Sequence, residues 1–412
     1  MLKRSVLAVF LVMGMVLSAG VAKADLSIMK SKFDVTFYGY IKAEAVYHSQ
    51  RVLGDNYAVF AYPDIEPYED QNTLSFTARQ SRFGFDIAAP GASANSKVLG
   101  KIEIDFYGKG HTENKAALML RRAYVMYKTP SWSLLAGNEW MLMSPLYPHV
   151  SNYPAGASIG NLGYRMPQIR FQIGNQFRFA VSAGEKIEGD LTTSDYDAGD
   201  RSAVPDFQWQ LGYFGKNKLV VAYSGHYGEE MWDDVNTGED ALDNPYNEVT
   251  FESWSHNLSV NIPIGKRLAL SGEAFYGVNL DGWYTGSIFA QGVGIDEDGD
   301  RVPVRDMGGW VELMVKPVDK VTLFLGYGFD EVEEDDLEGG PYPANPLLPG
   351  YVKAFSRNQM IYGHMFYDVT KAFRVSFEAM QISTEYLKTD EEDDTDYDAD
   401  AMRYDLAFWF FF

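Results

Sequence analysis

The last twelve residues, Ala401 to Phe412, constrain the fold more than any other stretch. Met402, Tyr404, Leu406, Phe408, Phe410 and Phe412 fall on one parity, and Arg403, Asp405 and Ala407 fall on the other. Successive strand side chains point to opposite faces, so this segment reads as a strand with one apolar and one partly polar face. A soluble sheet would have to bury the apolar face against a second layer, whereas a transmembrane barrel can present it to lipid.

The opposite end points the same way. Lys3-Arg4, an apolar run from Ser5 to Ala19 and Ala22-Lys23-Ala24 make a secretory signal peptide over residues 1–24, too short and wrongly flanked for a spanning helix. The expected mature chain, 25–412, is one domain with 32 Lys and Arg against 57 acids, a net charge of −25. It has no Cys and no apolar run of about 18 residues, so a membrane span must be made by strands, and a closed barrel needs no disulfides. This acidity argues against nucleic acid as a partner.

Phe33–His48 alternates, with Phe33, Val35, Phe37, Gly39, Ile41, Ala43 and Ala45 on one face and Asp34, Thr36, Tyr38, Tyr40, Lys42 and Glu44 on the other. Residues 49–72 read as a long polar loop. The second strand, about 73–88, changes parity near Gln80–Ser81, which predicts a bulge. Fourteen further strands are predicted at about 96–108, 116–129, 131–140, 165–174, 176–187, 205–215, 217–229, 250–263, 266–279, 307–317, 320–331, 354–369, 371–387 and 401–412. Tight turns such as Gly215-Lys216-Asn217 and Val369-Thr370-Lys371 alternate with long connections near 141–164, 188–204, 230–249, 280–306, 332–353 and 388–400. That rhythm predicts an all-β, antiparallel sixteen-stranded transmembrane barrel, with short periplasmic turns and long acidic extracellular loops, enclosing an aqueous lumen.

The acidity is concentrated in the loops, as in 331–338 and 390–400. Solvation explains such loops. Divalent cations bridging them to lipopolysaccharide would use the same residues. Asp296-Glu297-Asp298-Gly299-Asp300 does not fit the spacing of a calcium loop, and no metal site or cofactor is expected. The arginines lie elsewhere: Arg79, Arg82, Arg121, Arg122, Arg165, Arg170 and Arg178 all fall in strands two to seven. Parity points Arg170 and Arg178 into the lumen and requires the same of at least one of Arg121 and Arg122, because a charge on the lipid face at mid-depth costs about 2–4 kcal/mol. Glu103, Asp105 and Glu139 also read as lumenal. Carboxylates opposing arginines across a narrow pore would set up a transverse field that sorts polar solutes. Residues 141–164, the least charged long connection, are expected to fold inward and narrow the pore, with Pro145, Tyr147, His149 and Tyr153 on that segment.

Several short motifs occur in an informative order: Tyr38-Gly39-Tyr40-Ile41-Lys42, Ala78-Arg79-Gln80-Ser81-Arg82-Phe83-Gly84-Phe85, Gly100-Lys101-Ile102-Glu103-Ile104-Asp105-Phe106, Leu120-Arg121-Arg122-Ala123-Tyr124, Leu135-Ala136-Gly137-Asn138-Glu139-Trp140 and Arg165-Met166-Pro167-Gln168-Ile169-Arg170. Over roughly residues 33–180 and the terminal strand, the chain resembles the DcaP-like family of trimeric outer-membrane porins. The resemblance implies a homotrimer of sixteen-stranded barrels in the outer membrane, an inward third loop and passage of small hydrophilic solutes with a preference for small organic anions. The Asp-Phe-rich stretch usual in the family's third loop is not evident in 141–164, nor is the amino-terminal coiled coil that some members carry.

Two other classes remain open at this level. One is a closed-lumen structural or adhesive barrel. The other is an outer-membrane hydrolase, for which the six His, at 48, 111, 149, 226, 256 and 364, offer no recognisable nucleophile–base motif, so no enzyme activity is expected.

Overall fold

The computed structural model describes residues 33–54, 56–91, 93–108, 115–153, 155–185, 202–235, 246–281, 288, 291–342, 348–350, 352–389 and 395–412. The predicted signal peptide lies outside these, as do His111 and Asp390–Asp394.

Sixteen antiparallel strands close into one barrel. They are β1 (Asp34–His48), β2 (Thr73–Thr77 continued by Arg82–Pro90), β3 (Lys97–Gly108), β4 (Ala117–Lys128), β5 (Trp132–Trp140), β6 (Arg165–Gly174), β7 (Phe177–Gly184), β8 (Asp206–Phe214), β9 (Val220–Val235), β10 (Tyr246–Ile264), β11 (Leu268–Val278), β12 (Arg305–Val318), β13 (Val321–Val332), β14 (Val352–Asp368), β15 (Phe373–Lys388) and β16 (Ala399–Phe411). Each pairs with its sequence neighbours, and β1 pairs with β16 from Tyr40↔Phe411 to His48↔Arg403, so no barrel edge is left open. The terminal Phe412 completes the seam. Its N–H donates to the Gly39 carbonyl and its own carbonyl accepts from the Gly39 N–H, both at 3.1 Å, while its ring stacks on Phe37 at 5.0 Å.

Alternation places an apolar belt outside. Ile41, Phe76, Leu211, Leu258, Leu325, Ile361 and Phe410 are all exposed on the outward parity of their strands. The odd residues of β16 are turned inward, and Arg403 and Asp405 are fully buried. The parity change in β2 is a break at 78–81, where the chain leaves the ladder and projects Gln80 inward. A second break lies in β4. Glu103 pairs with Arg122 but Ile104 pairs with Leu120, so Arg121 is an extra residue in the ladder and parity reverses around it. Leu118 and Leu120 face out before it and Val125 faces out after it, so Arg121 and Arg122 both point inward.

One expectation needs correcting. Residues 49–72 are not simply a polar outer loop. Ala58, Val59, Phe60, Ala61 and Tyr62 are buried inside the outer half of the barrel, in an apolar cluster with Ile159, Phe355, Met360, Met380, Ile382 and Ala401. Backbone groups of this loop are tied to the wall. The Ala61 N–H donates to Thr384 Oγ1 at 3.0 Å, and Asn358 Nδ2 donates to the Val59 carbonyl at 2.7 Å. Sixteen strands make a bore too wide for their own side chains to fill, and here an inserted loop packs the β14–β16 side. Phe60, fully buried and 4.5 Å from the Phe355 ring, holds that insert. Phe60→Ala is expected to cost about 3–5 kcal/mol and to expose residues 49–72 to protease. Limited proteolysis of the folded variant beside the wild type checks this.

Candidate functional site: the pore constriction

Residues 141–164 leave β5 and run around the inner wall, held by a succession of strands. On β8, Gln208 Oε1 accepts from the Leu142 N–H at 2.7 Å and Gln210 Nε2 donates to the Leu142 carbonyl at 2.6 Å. On β9, Ser224 Oγ donates to the Met143 carbonyl at 2.7 Å. Three buried glutamates carry the loop onward. Glu273 of β11 accepts from the Leu146 N–H at 3.0 Å and from Ser144. Glu312 of β12 accepts from the His149 N–H at 2.7 Å and lies 2.7 Å from His149 Nδ1. Glu378 of β15 accepts from the Ser151 N–H. A carboxylate taking backbone N–H groups inside a low-dielectric wall makes a strong, directional anchor.

The loop tip ends against β1. Lys42 Nζ donates to Ser151 Oγ at 2.9 Å, to the Ser151 carbonyl at 3.1 Å and to Gln80 Oε1 at 2.9 Å, and it is ion-paired with Glu44. The break in β2 is what lets Gln80 reach the same Ser151 carbonyl, at 2.8 Å. Asn152 then joins the two inward loops, exchanging hydrogen bonds with the Ala58 N–H and carbonyl at 2.9 and 2.7 Å.

The expected loop residues fall along this path. Pro145 lies between the two loop groups that Glu273 holds. Tyr147 packs on Trp140 with ring centroids 4.6 Å apart. His149 stacks on Phe324 at 4.4 Å with half its side chain exposed. Tyr153 stacks on Tyr107 at 3.6 Å and donates to Asp105 Oδ2 at 3.2 Å. Loss of water around the Tyr147 and Tyr153 hydroxyls pushes both above the ordinary tyrosine range, so both stay neutral.

The loop is held chiefly along β8–β15 and β1 and also reaches the arc from β2 to β7, where Gln80 meets Ser151, Asp105 meets Tyr153 and Trp140 meets Tyr147; the arginines lie on that arc. The carboxylates do not stand opposite them, contrary to the expected transverse arrangement. Glu103 and Asp105 lie 3.1 and 2.5 Å from Arg121, and Glu103 is also 3.8 Å from Arg82. Arg122 is 2.5 Å from Glu139. All three acids thus share the arc with the arginines they pair. Arg79 donates to the Phe106 carbonyl at 3.2 Å and lies 4.6 Å over the Tyr107 ring. Arg170 Nε donates to Gln168 Oε1 at 3.0 Å, Arg178 lies 3.8 Å over Phe214, and Arg165 lies against Trp140 and Tyr164 at 4.8 and 4.2 Å. Among the described residues no carboxylate oxygen comes within 4.0 Å of Arg165, Arg170 or Arg178. Aromatic faces and neutral amides hold these three; Arg165 is almost fully buried, and Arg170 and Arg178 are partly exposed.

Sequence reasoning missed the glutamate anchors. Glu273 and Glu378 each alternate with apolar neighbours, so their inward parity was readable, but their partner was not.

A closed sixteen-stranded barrel, an outward apolar belt and an inward third loop give the chain the fold of a porin-like transmembrane β-barrel. The outer-membrane channel DcaP of Acinetobacter baumannii is similar to this chain with a TM-score of 0.72 at 18% identity, covering 94% of this chain and 100% of that one. OmpT of Vibrio cholerae is similar with a TM-score of 0.55 at 14% identity, over 94% and 100% of the two chains. The anion-selective porin from Comamonas acidovorans gives 0.56 at 11% identity, over 92% and 100%. No protein-family model and no curated protein sequence matches the chain.

Proposed function

We propose that this protein is a porin, a water-filled channel for passive diffusion of small hydrophilic solutes, with preference for small organic anions at its constriction. The observation that carries the reading is the arc of β2–β7, where the partly exposed Arg170 and Arg178 have no carboxylate within 4.0 Å among the described residues. Arg79, Arg82, Arg121, Arg122, Glu103, Asp105 and Glu139 line the same arc in this reading, largely as neutral pairs. Pro145, Tyr147, His149 and Tyr153 form the loop side of the constriction in this reading. The acidic outer loops attract cations to the mouth, but ions are least screened where the passage is narrow, so the constriction decides. The likeness to an anion-selective porin and to the DcaP channel supports the fold-level part of this reading. A homotrimer accords with the trimer form of the Vibrio cholerae protein, which has a TM-score of 0.53 with this chain.

Liposome swelling tests the reading. Vesicles holding the folded protein should swell in isosmotic small sugars and faster in small organic anions of equal size. Absence of swelling in any solute would favour the closed structural barrel.

A further inference from the structure

The periplasmic rim carries a charge opposite to that of the outer loops. Four neighbouring turns join β8–β9, β10–β11, β12–β13 and β14–β15. They hold Lys216, Lys218, Lys266, Arg267, Lys320 and Lys371, every one exposed. The acids of these turns are Asp319 and Asp368, and Asp368 is taken by Arg374 at 2.6 Å. Among the described residues none of the six cations has a carboxylate within 4.0 Å. Two of them instead tie adjacent turns together. Arg267 Nη1 donates to the Pro317 carbonyl at 3.0 Å, and Lys320 Nζ donates to the Val369 carbonyl at 3.2 Å. These bonds fix the cations in an arc rather than leaving them scattered. Turns two strands apart lie roughly 10 Å from one another, so the arc runs about 30 Å around the rim.

Its depth in the membrane follows from its neighbours. Ile264 and Leu268 flank Lys266 and Arg267, Val318 precedes Lys320, and Tyr367 precedes Lys371. All four apolar residues are exposed on the outward surface at strand ends. Such residues mark the inner edge of the hydrocarbon belt, so the cations beyond them stand at headgroup depth. Their alkyl stems can lie along the belt while the charges reach the phosphates.

We propose that this arc is a binding surface for anionic phospholipid headgroups of the periplasmic leaflet. Lysine and arginine clusters at a membrane surface attract anionic lipid, and here the acidic outer loops repel it at the opposite end. The two ends together fix which leaflet each rim faces. The surface is separate from the pore and does not depend on solute passage.

The experiment uses the full folded protein in nanodiscs of equal phosphatidylglycerol and phosphatidylcholine, with retained lipid counted after transfer to detergent. The expected result is retention of phosphatidylglycerol over phosphatidylcholine by about fivefold or more, falling as salt rises. The variant Lys216→Gln, Lys218→Gln, Lys266→Gln, Arg267→Gln, Lys320→Gln, Lys371→Gln, checked for folding by its heat-dependent gel shift, should retain the two lipids equally. Equal retention by the wild type overturns the proposal. So does a preference that survives in the folded variant. If the variant does not fold, the wild-type salt titration decides, and a preference indifferent to salt overturns the proposal.

Discussion

Replacing Arg170 and Arg178 together with glutamine is expected to lower the anion-to-cation permeability ratio about tenfold. A unit charge roughly 8 Å from a passing ion in water favours an anion by about 0.5 kcal/mol and disfavours a cation by as much, so two charges shift the ratio by about 2 kcal/mol, which screening reduces to about tenfold. These two are chosen because they are partly exposed and no carboxylate lies within 4.0 Å of them among the described residues. The contrast is Arg122→Gln, which frees Glu139 at the same time and so removes one charge while uncovering another. Arg121 is more deeply committed, with Asp105 at 2.5 Å, Glu103 at 3.1 Å and only 3% of its surface exposed. Its removal would read out as instability before selectivity. Reversal potentials across a salt gradient separate these cases. An unchanged ratio in the double variant would remove the two arginines from the constriction.

The second large effect is expected at Lys42. It is fully buried, ion-paired with Glu44 and hydrogen-bonded to both the carbonyl and the hydroxyl of Ser151 at the loop tip. Glu44, Glu378 and Asp405 share this interior, and without Lys42 the groups left to balance them there are Arg403, at 2.8 Å from Asp405 and 3.9 Å from Glu378, and the His364 ring, at 3.7 Å from Glu378. Breaking one partner out of a buried ion pair costs about 3–5 kcal/mol, because the charge left behind has neither water nor partner. Lys42→Met should therefore lower the urea midpoint and loosen the segment near Ser151, giving larger and noisier single-channel currents. Lys42→Met with Glu44→Gln should recover part of the stability, since the stranded carboxylate is removed too. A single variant with wild-type midpoint and quiet, wild-type conductance would show that the loop is held without this anchor.

The amount legible in the sequence differs by kind of contact. Strand positions and facing were readable because they rest on period-two alternation and turn chemistry, both local. The terminal strand shows it best, with Arg403 and Asp405 buried inside and Tyr404 and Phe410 exposed outside. The break in β2 was visible as a parity change near Gln80. The break in β4 was only half visible: the adjacent pair Arg121-Arg122 demanded that one side chain face inward, and the extra residue turns both that way. What the sequence hid is long-range. Glu273, Glu312 and Glu378 meet loop atoms more than 120 residues away in the chain. The apolar run Ala58–Tyr62 sits between polar stretches and reads as an outer loop until the wall at Phe355 and Tyr386 is placed beside it. The pairing of Glu103 and Asp105 with Arg121 follows from the register of β3 on β4, which the break shifts.

Single-channel recording of the wild-type protein in a planar bilayer, across a salt gradient, tests the central claim most directly. An open channel with an arginine-lined constriction predicts current steps, grouped in threes for a trimer, and a reversal potential on the anion side. Folded protein that inserts and passes no current would contradict the open channel. Steps with a reversal potential on the cation side would contradict the arginine constriction and give control to the acidic outer loops.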